Sequence, residues 1–146
     1  MRVGVLLAAA AVAVTVACGS HDERLSRDDY ANRADAVCRR FNRETRDVGR
    51  PQTMPALARA AGRSLAPLDR ALKSLRALRP PRDEEAKARQ WLRQLTLLRA
   101  DVARIHARAA ANDAAAVRSV AVAAQQRNDR FAELAAELGM HVCNRR

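Results

Sequence analysis

Apolar residues recur along most of the chain in steps of three and four, the spacing of one face of an α-helix. A first stripe, Tyr30, Ala34, Val37, Cys38, Phe41 and Val48, follows a start signal made by Ser26 with Asp29 three residues on. Leu25 and Tyr30 are placed to form a hydrophobic staple across that cap. Gly49-Arg50-Pro51 ends the segment. Thr53 followed by Pro55 opens a second helix, whose stripe is Leu57, Ala61, Leu65, Leu68, Leu72, Leu75 and Leu78. Pro67 falls inside this pattern and is expected to kink the helix or split it in two.

Arg79-Pro80-Pro81 is the clearest break in the chain. Asp83, Glu84 and Glu85 follow, acids suited to the positive end of a helix dipole, and Ala88, Trp91, Leu92, Leu95, Leu98, Val102 and Ile105 form the third stripe. Asn112-Asp113 is a cap signal after an alanine run, with a continuous helix through 109–116 as the alternative. The fourth stripe is Val117, Ala121, Ala124, Phe131, Ala135 and Leu138, with Asn128 at one seam position and Gly139 as a stop. The pattern predicts an all-α, four-helix up-down-up-down bundle over residues 26–146, with the first and last helices neighbouring and antiparallel.

Ahead of these helices the pattern changes. Residues 1–17 carry one cation, Arg2, and then an uncharged apolar run that falls short of the roughly 18 to 20 residues needed to cross a bilayer. Polar Gly19, Ser20 and His21 follow directly, as expected after a signal peptide. Thr15-Val16-Ala17-Cys18-Gly19 resembles the lipobox of bacterial lipoproteins. That resemblance implies cleavage before Cys18, a diacylglyceryl group on its thiol and anchoring to the membrane. Thr15 departs from the aliphatic residue usual at its position, and ordinary signal peptidase cleavage after Ala17, giving a secreted protein, fits as well. Two or three acyl chains anchor stably where one binds marginally. Residues 18–25 then serve as lipidated cysteine and tether, on the extracytoplasmic face of the membrane.

Export places the two remaining cysteines, Cys38 and Cys143, in an oxidising compartment, where a disulfide between them would staple the two ends of the domain. The alternative is a redox or metal cysteine with His141 beside Cys143, but no CxxC motif or third nearby ligand supports it. Catalytic chemistry finds little else. The three histidines, His21, His106 and His141, form no metal-binding spacing, and no phosphate loop or nucleophile elbow is present. Trp91 and Asn128 read first as packing and register residues, with ligand contact as the alternative. No enzyme, cofactor or metal is expected.

Composition sharpens two of these points. Rings make up only 3% of a chain that is 49% hydrophobic, which disfavours a β-sandwich core and leaves helices packed through alanine. The formal net charge is +11. Part of this excess falls on the second helix, where Arg59, Arg63, Arg70 and Lys73 share a narrow arc opposite the leucines. Such a face suits anionic lipid headgroups or phosphate-bearing wall polymers, at about 1 kcal/mol per basic residue near an anionic surface; a solvated face in an arginine-rich chain is the plainer reading. Nucleic acid is not expected, because the aromatic interleaving of known binders is missing and the leader directs the chain out of the cytoplasm.

Ser26-Arg27-Asp28-Asp29-Tyr30 with Ala34, Ala36 and Cys38, the Pro80-Pro81 break, Trp91 and the closing Leu138-Gly139-Met140-His141-Val142-Cys143 are together similar to small secreted lipoproteins of actinobacteria. The resemblance implies a helical extracytoplasmic domain with paired termini and carries no activity with it. The function expected is a noncatalytic binding or interaction module, with a small-ligand carrier built around a cavity between helices as the alternative.

Overall fold

The structure, a computed structural model, describes residues 24–145, so the expected signal peptide and Cys18 lie outside the described residues. It is all-helical there: α1 (Arg27–Glu44), α2 (Met54–Arg76), α3 (Glu85–Ala110) and α4 (Ala114–Glu137), with 3₁₀ turns at Arg46–Val48 and Arg82–Glu84. Side chains build three of the four helix starts. Ser26 Oγ accepts the Asp29 amide at 3.1 Å and donates to the Asp29 carboxylate at 2.7 Å; Thr53 accepts the Ala56 amide at 3.3 Å; Asp113 accepts the Ala116 amide at 3.0 Å. The start of α3 has no such cap and relies on the acids of its first turn.

Two helix ends use left-handed residues. Gly139, at φ 81°, lets the Met140 amide reach the Ala135 carbonyl at 2.9 Å and its own amide reach Ala136 at 3.0 Å. Asn112, at φ 57°, does the same for α3, with the Asp113 amide on the Arg108 carbonyl at 2.9 Å. Asp113 therefore closes α3 with its backbone and opens α4 with its side chain, and the helix does not run through the alanines. Two expectations change. Helix α1 ends at Glu44, leaving Val48 on the following 3₁₀ turn, and α2 is not split, because the helix continues through Pro67 with that ring buried. Losing one amide hydrogen bond there is offset by burial of the ring.

The longest helix seams are α2 with α3 and α3 with α4, while α1 lies against the second half of α2 and against the segment after Gly139. A larger core cluster fills the end of the bundle that α1 covers, centred on Tyr30, Leu75, Trp91, Leu134, Leu138 and Met140. A smaller one, Ala58, Ala109 and Val117 with Met54 and Leu57 beside it, fills the other end. Alanine at these contacts lets the backbones approach. Gly62 carries this furthest: a Cβ there would stand 3.1 Å from the His106 ring, whose Nδ1 donates to the Ala58 carbonyl at 2.8 Å. His106 is thus a bond between α2 and α3. On α4 the inward face is Val117, Phe131, Ala132, Leu134 and Ala135, and Ala121, expected inside, is exposed.

Trp91 is fully buried and stacks on Phe131 with ring centroids 5.3 Å apart. Tyr30 is buried with no partner for its hydroxyl among the described residues, and burial pushes its pKa from 10.0 up to about 12. The folded chain therefore keeps a proton that the unfolded chain releases near pH 10. Tyr30 should contribute its full stabilisation below pH 10 and lose it as pH rises towards 12, a fall of roughly 2 to 3 kcal/mol. Urea unfolding from pH 8 upwards should show this slope in the native protein and not in Tyr30→Phe. The variant should unfold within about 1 kcal/mol of the native protein at neutral pH, since no hydrogen bond is lost. Absorbance of tyrosinate reads the titration directly, because the chain has a single tyrosine.

Candidate functional site

After α4 stops at Gly139 the chain turns back along α1. The Cys38–Cys143 disulfide joins them, with Cα atoms 5.5 Å apart and 105 residues between. One turn before Cys38 stands Asp35, only 4% exposed, whose two carboxylate oxygens accept three consecutive amides: His141 at 2.7 Å, Val142 at 2.9 Å and Cys143 at 2.9 Å. Three charge-assisted bonds and a covalent one hold five residues of tail. His141 contributes its amide and leaves its ring exposed. Cys143 is committed to the disulfide, and among the described residues no group of three or more His, Cys, Asp or Glu side chains converges as metal ligands would.

The tail closes one side of a cavity of about 250 Å³ between the helices. Its wall is apolar: Phe41 from α1, Leu68 and Ala71 from α2, Leu95 and Leu98 from α3, Phe131 from α4, with both disulfide cysteines and Val142 completing it. Among the described residues three polar ones reach it, Asn42 from α1, Asn128 from α4 and Arg145 from the tail, and no acid does. Asn128, placed on the helix seam by the sequence, thus borders a void. The void arises where a short side chain, Ala71, faces the larger side chains of α3 and α4.

A second recess, of about 270 Å³, lies where the start of α1 meets the connection from α2 to α3. Arg24, Arg76, Arg79 and Arg89 surround it and Tyr30 forms part of its wall. Glu85 occupies the centre of that charge, pairing with Arg24 at 2.9 Å and Arg89 at 2.7 Å. The arginines come from three separate segments, which is why no stretch of sequence showed them as a group.

The cations expected as one stripe on α2, Arg59, Arg63, Arg70 and Lys73, are all exposed. Their surroundings differ, however. Arg70 pairs with Glu44 of α1 at 2.7 Å, and Arg63 shares a shallow recess with Glu44 and Asp47. Arg59 and Lys73 form no ion pair among the described residues. Between them on the same helix, Asp69 is gripped by Arg99 at 2.8 and 3.0 Å, and that hydrogen bonding holds its carboxyl below the usual carboxylate range. Acids from the neighbouring helices therefore break the stripe that α2 alone suggested.

One further buried charge was not singled out by the sequence. Asp101 is 0% exposed and binds Arg104, one turn along α3, and Arg127 of α4. It occupies a core position three residues after Leu98, where its carboxylate ties α3 to α4. Comparison of the chain with protein-family models, with curated proteins and with solved structures finds no match. The site is read from its own residues.

Two substitutions separate the two fastenings of the tail. Replacing Cys38 and Cys143 together by serine should lower stability by roughly 4 to 5 kcal/mol, the chain-entropy value for a loop this long. Asp35→Ala leaves three amides without their acceptor, that of Cys143 buried and those of His141 and Val142 partly buried, and should cost about 3 kcal/mol in the oxidised protein. Because both act on the same tail, the effects should be less than additive when combined, as guanidinium unfolding of the four proteins would show.

Proposed function

We propose that this chain is an exported lipoprotein, anchored through Cys18 on the outer face of the membrane, and that its domain is a noncatalytic module that binds a small, largely apolar molecule in the cavity beside the disulfide. The observation that carries the reading is the cavity itself: about 250 Å³, walled by aliphatic and aromatic side chains from all four helices, and bordered by few polar groups. A cavity of ~150 Å³ takes up benzene, so this one has room for about ten carbons at the same ratio. Unfilled space in a core costs stability, and a bound ligand would recover that cost.

The arrangement of helix ends supports an up-down-up-down order and a definite orientation. The start of α1 meets the end of α2 through Leu25 and Arg79, the start of α3 through Arg27 and Glu84, and the end of α4 through Arg27 and the Glu137 carbonyl. Arg24 lies six residues after Cys18, a reach of about 20 Å when extended. This end of the bundle is then the one nearest the bilayer, and the arginine recess there would face anionic headgroups or wall polymers. In this reading that contact orients the domain and the cavity holds the ligand, while Arg59 and Lys73 remain solvated.

Titration of the protein with octanol, decanol and octanoate, read by Trp91 emission, tests the reading. Saturable binding is expected, and Ala71→Leu, which extends a side chain into the cavity, should weaken it at least about tenfold with little change in helicity. Failure of every ligand to saturate would overturn it. Intact mass of the protein purified from envelopes tests the anchor separately: a diacylglyceryl adduct on Cys18 is expected, and a free thiol at a cleaved terminus would remove the anchor while leaving the cavity.

A further inference from the structure

We infer that the ligand of this cavity is a single-chain amphipathic carboxylate, an apolar tail of about ten carbons ending in one anionic head, and that Arg145 is the residue that binds the head. The inference rests on the cavity being a ligand site and adds the chemical class. Three polar side chains border the cavity, from α1, α4 and the C-terminal tail, and all three carry N–H donors: the carboxamides of Asn42 and Asn128 and the guanidinium of Arg145. Among the described residues no carboxylate lines it. A cationic ligand would meet a like charge and no counter-ion among the described residues, whereas an alcohol would accept a hydrogen bond but leave the guanidinium's charge unmatched. A carboxylate matches the fork of an arginine and accepts from the amides beside it.

Arg145 is set up for this by its own contacts. Its Nε donates to the His141 carbonyl at 3.2 Å, which fixes the stem against the tail, and among the described residues it has no acidic partner. The terminal nitrogens of the guanidinium are left for another acceptor. Its backbone is located by what precedes it: Cys143, two residues earlier, is held by the disulfide, and Asp35 holds the amides of 141–143. The heavy fastening of this segment gains a purpose in this arrangement, since it keeps Arg145 at the edge of an apolar chamber. The buried wall formed by Leu95 and by Phe131, whose ring stacks on Trp91, then takes the end of the alkyl chain.

The test compares decanoate, decanol and decylamine on the full chain held in amphipol, with empty amphipol as blank and Trp91 emission as readout. Trp91 is the chain's single tryptophan, so the signal reports the cavity wall. Decanoate is expected to bind up to about fivefold tighter than decanol, the scale of one partly exposed ion pair, and decylamine most weakly. The preference should shrink with added salt. Arg145→Gln should bring decanoate to the affinity of decanol and leave decanol unchanged; as an exposed residue near the terminus it should not disturb the fold, and unfolding of the variant checks this. Asn128→Ala should weaken decanoate more than decanol. If decanol binds as tightly as decanoate, or Arg145→Gln leaves decanoate unaffected, the head-group inference fails while the cavity reading stands. If none of the three saturates, the cavity reading itself fails and takes the inference with it.

Discussion

The grip of Asp35 on the returning tail is the interaction on which the rest of the structure depends. Helix α1 is the shortest of the four and has the least helix to lean on: it meets the second half of α2, and its other flank is supplied by residues that follow Gly139. A tail of irregular backbone is a poor partner for a helix, because its amides need acceptors that an apolar face does not provide. One buried carboxylate answers three of them at once. The disulfide then acts on a segment whose geometry is already set, removing freedom from the unfolded chain more than it adds contacts to the folded one. Tyr30, Leu138 and Met140 can be buried together only because α1 and the tail are held in this way.

Much of the helical layout was legible before any coordinates, for a local reason. Helix starts and stops are decided within four or five residues, and Ser26, Thr53, Asn112-Asp113 and Gly139 each carry the chemistry of a boundary in their own side chain or backbone freedom. The disulfide was legible too, since the expected export, an odd cysteine beside the expected leader and two more at the domain ends leave few arrangements. Pro67 shows the limit of local reading: proline disfavours a helix interior, yet the surrounding core gains enough from burying its ring to carry the helix through. Ala121 shows the same limit from the other side, as alanine gives no signal of which face it takes.

The functional features were less legible because each depends on convergence. A carboxylate on an apolar stripe, as at Asp35 and Asp101, reads as a weak point in the helix pattern until the partners are known. These come from 106 residues away in one case, at His141, and 26 in the other, at Arg127. The arginine recess gathers side chains from the tether, the end of α2 and the start of α3. The cavity is further still from the sequence, for a void is a mismatch of shapes: it needs Ala71 on one helix to face leucines and a phenylalanine on others, and composition cannot place such a meeting.

The two buried carboxylates also say something about how a chain with a net charge of +11 holds together. Self-repulsion among so many arginines opposes compaction, and the acids are distributed against it in two ways. Exposed Glu44 and Asp69 each take an arginine from a neighbouring helix, and half-buried Glu85 takes Arg24 from the segment ahead of α1, so that they neutralise where separate segments meet. Exposed pairs of this kind contribute modestly, at roughly 0.2 to 1 kcal/mol each. Asp101 works differently: desolvated, it needs both Arg104 and Arg127, and its loss would leave two guanidinium groups without a counter-charge at the α3–α4 seam. Asp35 uses no cation at all and spends its charge on backbone amides. That choice leaves the tail's own cation, Arg145, without an acid beside it among the described residues, at the edge of an apolar chamber. With 27 basic residues against 16 acidic ones, arginines without an acid are common in this chain, as at Arg59; what sets Arg145 apart is its place at the edge of an apolar chamber, where a bound anion would complete it.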